Sequence, residues 1–212
     1  MSPTGYGVCR RAPQREGRTM RSPSLGRSCP AWVLLLLSVA CAPAPPSDWD
    51  ETRARIRAAF PEIPQISTAQ LAQWMAAAPE TVLLLDVRRP EEFVVSHIPG
   101  AHPAPTLEAA LRWVARRRKG QRIVLYCSVG FRSSKMAKQL LDRGISGIHN
   151  LEGSIFAWAN EGRPLTDGVK PVQRVHPFDE RWGRLLDPRL WAWHPESPQG
   201  TRASRKAQEP SL

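Results

Sequence analysis

No apolar run in this chain is long enough to cross a bilayer as a helix. The longest, residues 31–40, stops after about ten residues, where a spanning helix needs about 20. Metal-binding patterns are missing too: no zinc-ligand spacing occurs, and His97 and His102 have no ligand companions nearby. There is no aromatic-rich RNA motif and no phosphate-binding glycine loop, so nothing beyond net charge argues for a nucleic-acid partner. Acidic residues are few, 19 against 30 Lys and Arg, which leaves a formal charge of +11. Six arginines (Arg10, Arg11, Arg15, Arg18, Arg21, Arg27) against Glu16 put five of those eleven charges in residues 1–41. The remainder includes Arg116-Arg117-Arg118-Lys119, which ends a helical pattern and reads as a solvated helix terminus.

What the N-terminus does have is a targeting pattern. Arg21 and Arg27 precede the apolar run Ala31–Ala40, and Cys41 and the linker Ala42-Pro43-Ala44-Pro45-Pro46 follow it. A basic region, a short apolar region and small residues at its end make a signal peptide over 1–41. Leu37-Ser38-Val39-Ala40-Cys41 resembles a bacterial lipobox, with Cys41 as the lipidated residue. The match departs at Ser38, where leucine is usual, and ordinary cleavage near Ala42 or Ala44 is the alternative. Met20 is a second candidate start. The expectation is an exported, periplasmic protein anchored to the membrane by lipid, with 42–60 as a semi-extended linker.

Cysteine is scarce, with only Cys9, Cys29, Cys41 and Cys127. Once the signal is removed and Cys41 is lipidated, Cys127 stands alone and no intramolecular disulfide can form. Such a thiol is either buried and inert or reactive with a purpose. The 21 prolines crowd the first thirty residues, 43–46 and 164–198, which marks these stretches as poor candidates for compact core.

Between them the pattern alternates. Ser67-Thr68-Ala69-Gln70 has capping-box spacing ahead of a helix carrying Leu71, Trp74 and Met75. Val82–Val87 and Ile123–Tyr126 are continuous apolar runs of strand length, the pattern of strands covered on both faces. A short helix over 91–95 leads to the turn Ile98-Pro99-Gly100, and Thr106 opens a helix with Leu107, Leu111 and Val114. Ser133–Arg143 reads as a helix with Met136, Leu140 and Leu141 at core spacing and Gly144 as its stop; Ile148–Leu151 is a strand and Ser154–Glu161 the last helix. This is an α/β pattern with a mainly parallel sheet and helices on both faces. In such sheets ligands bind beyond the carboxyl ends of strands.

Cys127 immediately follows one such strand. Gly130 permits a tight turn, successive N–H groups can form an anion-binding nest, and the following helix and Arg132 add positive charge. A thiol there should ionise below its free value of about 8.5 and act as a nucleophile near neutral pH.

The stretch Tyr126-Cys127-Ser128-Val129-Gly130-Phe131-Arg132-Ser133-Ser134 resembles the active-site loop of the rhodanese homology family. Asp86-Val87-Arg88, Glu91-Glu92-Phe93 and Ser96-His97-Ile98-Pro99-Gly100-Ala101 resemble its upstream motif; Asn150–Trp158 with Gly162-Arg163-Pro164 resembles its C-terminal one. Three motifs in order over about 100 residues place the domain at 61–166. The resemblance implies a three-layer fold with a parallel five-stranded sheet, a cysteine persulfide, and no metal or organic cofactor. It makes Cys127 the nucleophile and Ser128, Val129, Gly130, Phe131 and Arg132 the anion cradle. Asp86 and Arg88, charged residues at the end of a buried strand, read as structural support that ties neighbouring loops together. The implied partners are a small anionic sulfur donor of the thiosulfate type and a thiol or cyanide-like acceptor; no protein partner is indicated. Ser154 departs from the pattern, since many members carry a second glycine there.

Two rival functions stay open. Related phosphatases have five residues between cysteine and arginine where this loop has four, and a sulfur carrier or binding module in the cell envelope would keep the same cysteine. The segment 167–194, with His176-Pro177-Phe178 and Arg181-Trp182-Gly183, is expected to pack on the domain, and 195–212 to be disordered.

Overall fold

The computed structural model describes residues 48–196. The expected signal segment, Cys41 and the tail from residue 197 lie outside the described residues.

The first described element corrects the sequence reading. Where 42–60 was expected as linker, Asp48–Ala59 forms helix α1. Its first turn carries Asp48, Asp50 and Glu51 and its last turn Arg57, each sign placed to suit the helix dipole. Ile56 is buried, and Phe60 and Ile63 continue into the core.

Then follow β1 (Gln65–Ile66), α2 (Thr68–Ala77), β2 (Val82–Asp86), α3 (Pro90–Val95), β3 (His102–Pro103), α4 (Leu107–Ala115), β4 (Arg122–Tyr126), α5 (Phe131–Leu141), β5 (Ile148–Leu151) and α6 (Ser154–Asn160). The caps expected of α2 and α4 are present: Ser67 Oγ accepts from the Gln70 N–H at 3.1 Å, and Thr106 Oγ1 from the Ala109 N–H at 3.2 Å. Chain positions 165–166 and 171–172 then form an antiparallel hairpin, β6 (Leu165–Thr166) and β7 (Pro171–Val172). Helix α7 (Glu180–Gly183) lies in the extension beyond it.

The central sheet is parallel throughout, in the order β1-β5-β4-β2-β3. Its inner strands separate two cores by simple alternation. Leu84, Val124 and Tyr126 face a cluster with Leu71 of α2 and Ile155, Phe156 and Trp158 of α6. Leu83, Leu85, Ile123 and Leu125 face the other, with Ala110 and Val114 of α4 and Met136 and Leu140 of α5. Leu141, expected in the core, is instead 37% exposed, because its neighbour Leu140 takes the inward position at the end of the helix.

The proline-rich stretch from 164 is not excluded from the core. Val172, Val175, Leu185, Leu186 and Trp191 are buried in the same cluster as α6. The Val175 N–H donates to Leu190 O and the Ala192 N–H to Val175 O, and Asn160 Nδ2 reaches Leu185 O at 2.8 Å. These ties belong to turns and a lone bridge, structures in which proline costs little.

Candidate active site

Parallel pairing puts the carboxyl ends of β2, β4 and β5 at one edge of the sheet, so the loops after them meet. The β4 strand ends at Tyr126, and Cys127 is the next residue, 1% exposed. Helix α5 begins at Phe131, two residues before the expected Ser133, with Gly130 as N-cap at φ +120°. A Cβ on Gly130 would lie 3.2 Å from Asn150 Nδ2 and 3.4 Å from Ile56 Cδ1, so both backbone angle and space call for glycine. The earlier start puts Phe131, Arg132 and Ser133 in the first helical turn.

The Cys127 sulfur faces donors. The Gly130 N–H donates to Sγ at 3.1 Å, and the Ser133 hydroxyl lies 3.5 Å from it. Burial pushes the thiol up, but the Arg132 charge, the Ser133 hydroxyl and N–H, and the Gly130 N–H together carry it below its ordinary value.

The nucleophile's backbone is held by the β5–α6 junction. The Cys127 N–H donates to Ser154 Oγ at 3.1 Å, while the N–H groups of Ile155 and Phe156 donate to the carbonyls of Cys127 and Ser128. Ser154 Oγ in turn donates to Leu151 O at 3.0 Å. Ser154 has φ +51°, a left-handed conformation that glycine would adopt without strain. The residue that replaces glycine here is therefore a link: its hydroxyl ties the nucleophile to the end of β5.

Arg132, expected as part of the anion cradle, is held by Glu92. Its Nη1 and Nη2 each donate to Glu92 at 2.8 Å, and Nη2 also reaches Ser128 Oγ at 2.9 Å. Three of its five N–H donors are thus engaged, and its charge acts on Cys127. Burial alone would raise the Glu92 carboxyl, but the hydrogen bonds and charge of Arg132 hold it below its usual value. Glu92 is buried in α3, oriented there by its bond to the Arg89 N–H at 3.0 Å.

The other cradle residues divide. The Ser128 side chain is buried and bonded within the Glu92–Arg132 pair, and the Val129 side chain packs into the α6 core. Phe131 is 46% exposed, with its ring against Phe60 edge-on at 5.3 Å. Asp86 and Arg88 form a buried pair beneath the site: Arg88 Nε and Nη2 bond the Asp86 carboxylate, and Nη2 also donates to Ser96 O at 2.6 Å. Tyr126 joins them, its hydroxyl accepting from the Ile98 N–H at 3.1 Å. His97 is stacked on Phe93 and bridges Thr166, His102 lies in β3 stacked on Trp113, and Trp158 is core, with Nε1 donating to Pro164 O at 2.8 Å.

Sequence reasoning singled out Glu92 only as a motif letter and gave no role to Ser133, Ile56 or Phe178. The Glu92 signal was the acidic pair in the first turn of α3; the other three depend on contacts between distant segments.

The site is thus a cysteine loop at the carboxyl edge of a parallel sheet, set at a helix N-terminus. The Rhodanese-like domain family matches residues 67–161. A protein of Allochromatium vinosum named sulfurtransferase is 35% identical over 101 residues, covering 48% of this chain and 92% of that protein. A tRNA uridine(34) hydroxylase of Photorhabdus laumondii is 32% identical over 123 residues, 56% of this chain and 35% of that enzyme. The chain spans less than half the length of several of its curated relatives. A rhodanese-related protein of Thermoplasma volcanium superposes with TM-score 0.42 and 28% identity, over 49% of this chain and 97% of that one. The chain belongs to the rhodanese-like family.

Removing the Ser154 hydroxyl leaves the buried Cys127 N–H without its partner while the left-handed φ persists. Ser154→Ala should cost about 1–3 kcal/mol, read from the urea unfolding midpoint. A change within about 0.5 kcal/mol, the range of neutral surface substitutions, would show that the tie carries no energy.

Proposed function

We propose that this protein is a sulfurtransferase in which Cys127 takes a sulfane sulfur from a small anionic donor and hands it to a thiophilic acceptor. The observation that carries this reading is the Cys127 sulfur itself, set at the N-terminus of α5 with the Gly130 N–H 3.1 Å away. A persulfide there carries the same negative charge as the thiolate it replaces, and the same helix terminus favours it. The match to the rhodanese-like domain supports the reading.

With a thiosulfate-type donor, the Cys127 thiolate attacks the outer sulfur. The donor's sulfur–sulfur bond breaks, sulfite leaves with that electron pair, and Cys127 holds a persulfide. An acceptor thiolate or cyanide then attacks the terminal sulfur, and the Cys127 thiolate departs with the electrons of the bond it had formed. No outside oxidant or reductant enters the balance. The 1% exposure of Cys127 favours a donor of a few atoms over a bulky one. The shorter cysteine-to-arginine loop and the engagement of Arg132 by Glu92 both weigh against a phosphatase, which needs that guanidinium for the phosphoryl oxygens.

The test is the intact mass of the protein after incubation with thiosulfate, beside Cys127→Ser. Gain of one sulfur atom in the wild type alone, reversed by cyanide with release of thiocyanate, is expected. A folded protein that gains no sulfur from thiosulfate or from a polysulfide contradicts it.

The N-terminal pattern supports a place for this activity in the bacterial cell envelope, the protein anchored through lipid on Cys41. Labelled palmitate should enter the wild type and not Cys41→Ser; equal label in both, or none in either, would overturn the anchor.

A further inference from the structure

Two non-glycine residues among those described have positive φ: Ser154 and Phe178, at +68°. Phe178 lies outside the stretch that matches the rhodanese-like family, in the extension after β7. A bulky side chain in this region of backbone space is uncommon and strained, so the surrounding contacts must hold it there. Its N–H donates to His176 Nδ1 at 3.0 Å, and His176 is buried with its ring edge-on to Trp193 at 5.2 Å. Asp179 then caps α7 by accepting from the Trp182 N–H at 2.8 Å.

This conformation delivers the Phe178 ring to the active-site ion pair. Arg132 Cζ lies 4.6 Å from the ring centroid and Arg89 Cζ 5.6 Å from it. The two arginines are the same ones that bond Glu92, Arg132 through both terminal nitrogens and Arg89 through its backbone N–H. The ring therefore covers a guanidinium whose bonding face is already occupied by the carboxylate. A cation held against an aromatic face is fixed in place, and its field on its neighbours is fixed with it.

We propose that Phe178 is a positioning residue: through this ring the C-terminal extension holds the Arg132–Glu92 pair beside the Cys127 loop and so sets the reactivity of the sulfur. This rests on Cys127 being the nucleophile, and it adds a determinant from outside the family-matched region. Its reach is through Arg132; Phe178 itself does not touch the sulfur. Arg88 also acts on Arg132, and the titratable His176 of the extension lies near Glu92, Arg88, Glu91 and His194. Burial first, and then Arg88, hold His176 below its ordinary value, so it stays neutral from pH 7 upward.

The test is the pH profile of Cys127 alkylation by iodoacetamide in the full protein, which reads the thiol whether or not sulfur transfer occurs. Phe178→Gly removes the ring and suits the backbone angle, which offsets part of the lost packing, and its unfolding midpoint shows that the variant is folded. The alkylation midpoint should rise by about half a pH unit, a roughly threefold loss of thiolate below the midpoint. Phe178→Tyr keeps a ring and should retain the wild-type profile. Arg132→Met should raise the midpoint by itself, and adding Phe178→Gly to it should change nothing more. An unchanged midpoint in folded Phe178→Gly overturns the proposal, as does an equal shift in the Arg132→Met background or a tyrosine variant that behaves like glycine. Failure of sulfur uptake with these shifts intact would sink the sulfurtransferase reading alone.

Discussion

A sulfur that carries negative charge away from water has to be held by donors, and the neighbourhood of Cys127 is organised around that requirement. The donors are a helix N-terminus, the Gly130 N–H and the Ser133 hydroxyl, with Arg132 supplying the nearest full positive charge. Everything else in the site fixes these groups in place. The β4–β5 pairing, with Leu125 opposite Asn150, brings the two loops together so that Ser154 and the first N–H groups of α6 can grip the Cys127 backbone. The β2–β4 pairing, with Asp86 opposite Tyr126, sets α3 beside the loop so that Glu92 can hold Arg132. The Asp86–Arg88 pair is deeper still, and its bond to Ser96 O joins the end of β2 to the end of α3.

Much of this was legible as pattern. The inner strands are continuous apolar runs, and the structure shows why alternation was absent: Leu84 faces one core while Leu83 and Leu85 face the other. The caps at Ser67 and Thr106 could be read because a cap depends on residues three apart in sequence. The cysteine loop was legible for a similar reason, since its chemistry is concentrated in six consecutive residues.

What escaped is long-range or short. Strands of two residues, such as β1 and β3, have no period to detect and exist only because a neighbour supplies their partners. Helix α1 was hidden by its charged composition, its core contact resting mainly on Ile56. The engagement of Arg132 by Glu92 joins residues forty apart, and sequence shows an available arginine where the fold has already paired it. The extension was obscured by its prolines, which interrupt regular structure without preventing Val175, Leu186 and Trp191 from filling the core.

The central claim is that the resting protein holds Cys127 as a thiolate, and the most direct measurement is its ultraviolet absorbance titration, taken as the difference from Cys127→Ser. A depressed pKa means that the folded state releases the proton before the unfolded chain does. Thiolate absorbance should therefore persist to lower pH than free cysteine shows and fade only as pH falls through the folded midpoint, which lies below the free-cysteine value of about 8.5. A midpoint at or above that value would mean that burial outweighs the donors, and that Cys127 is a protonated core residue rather than a nucleophile.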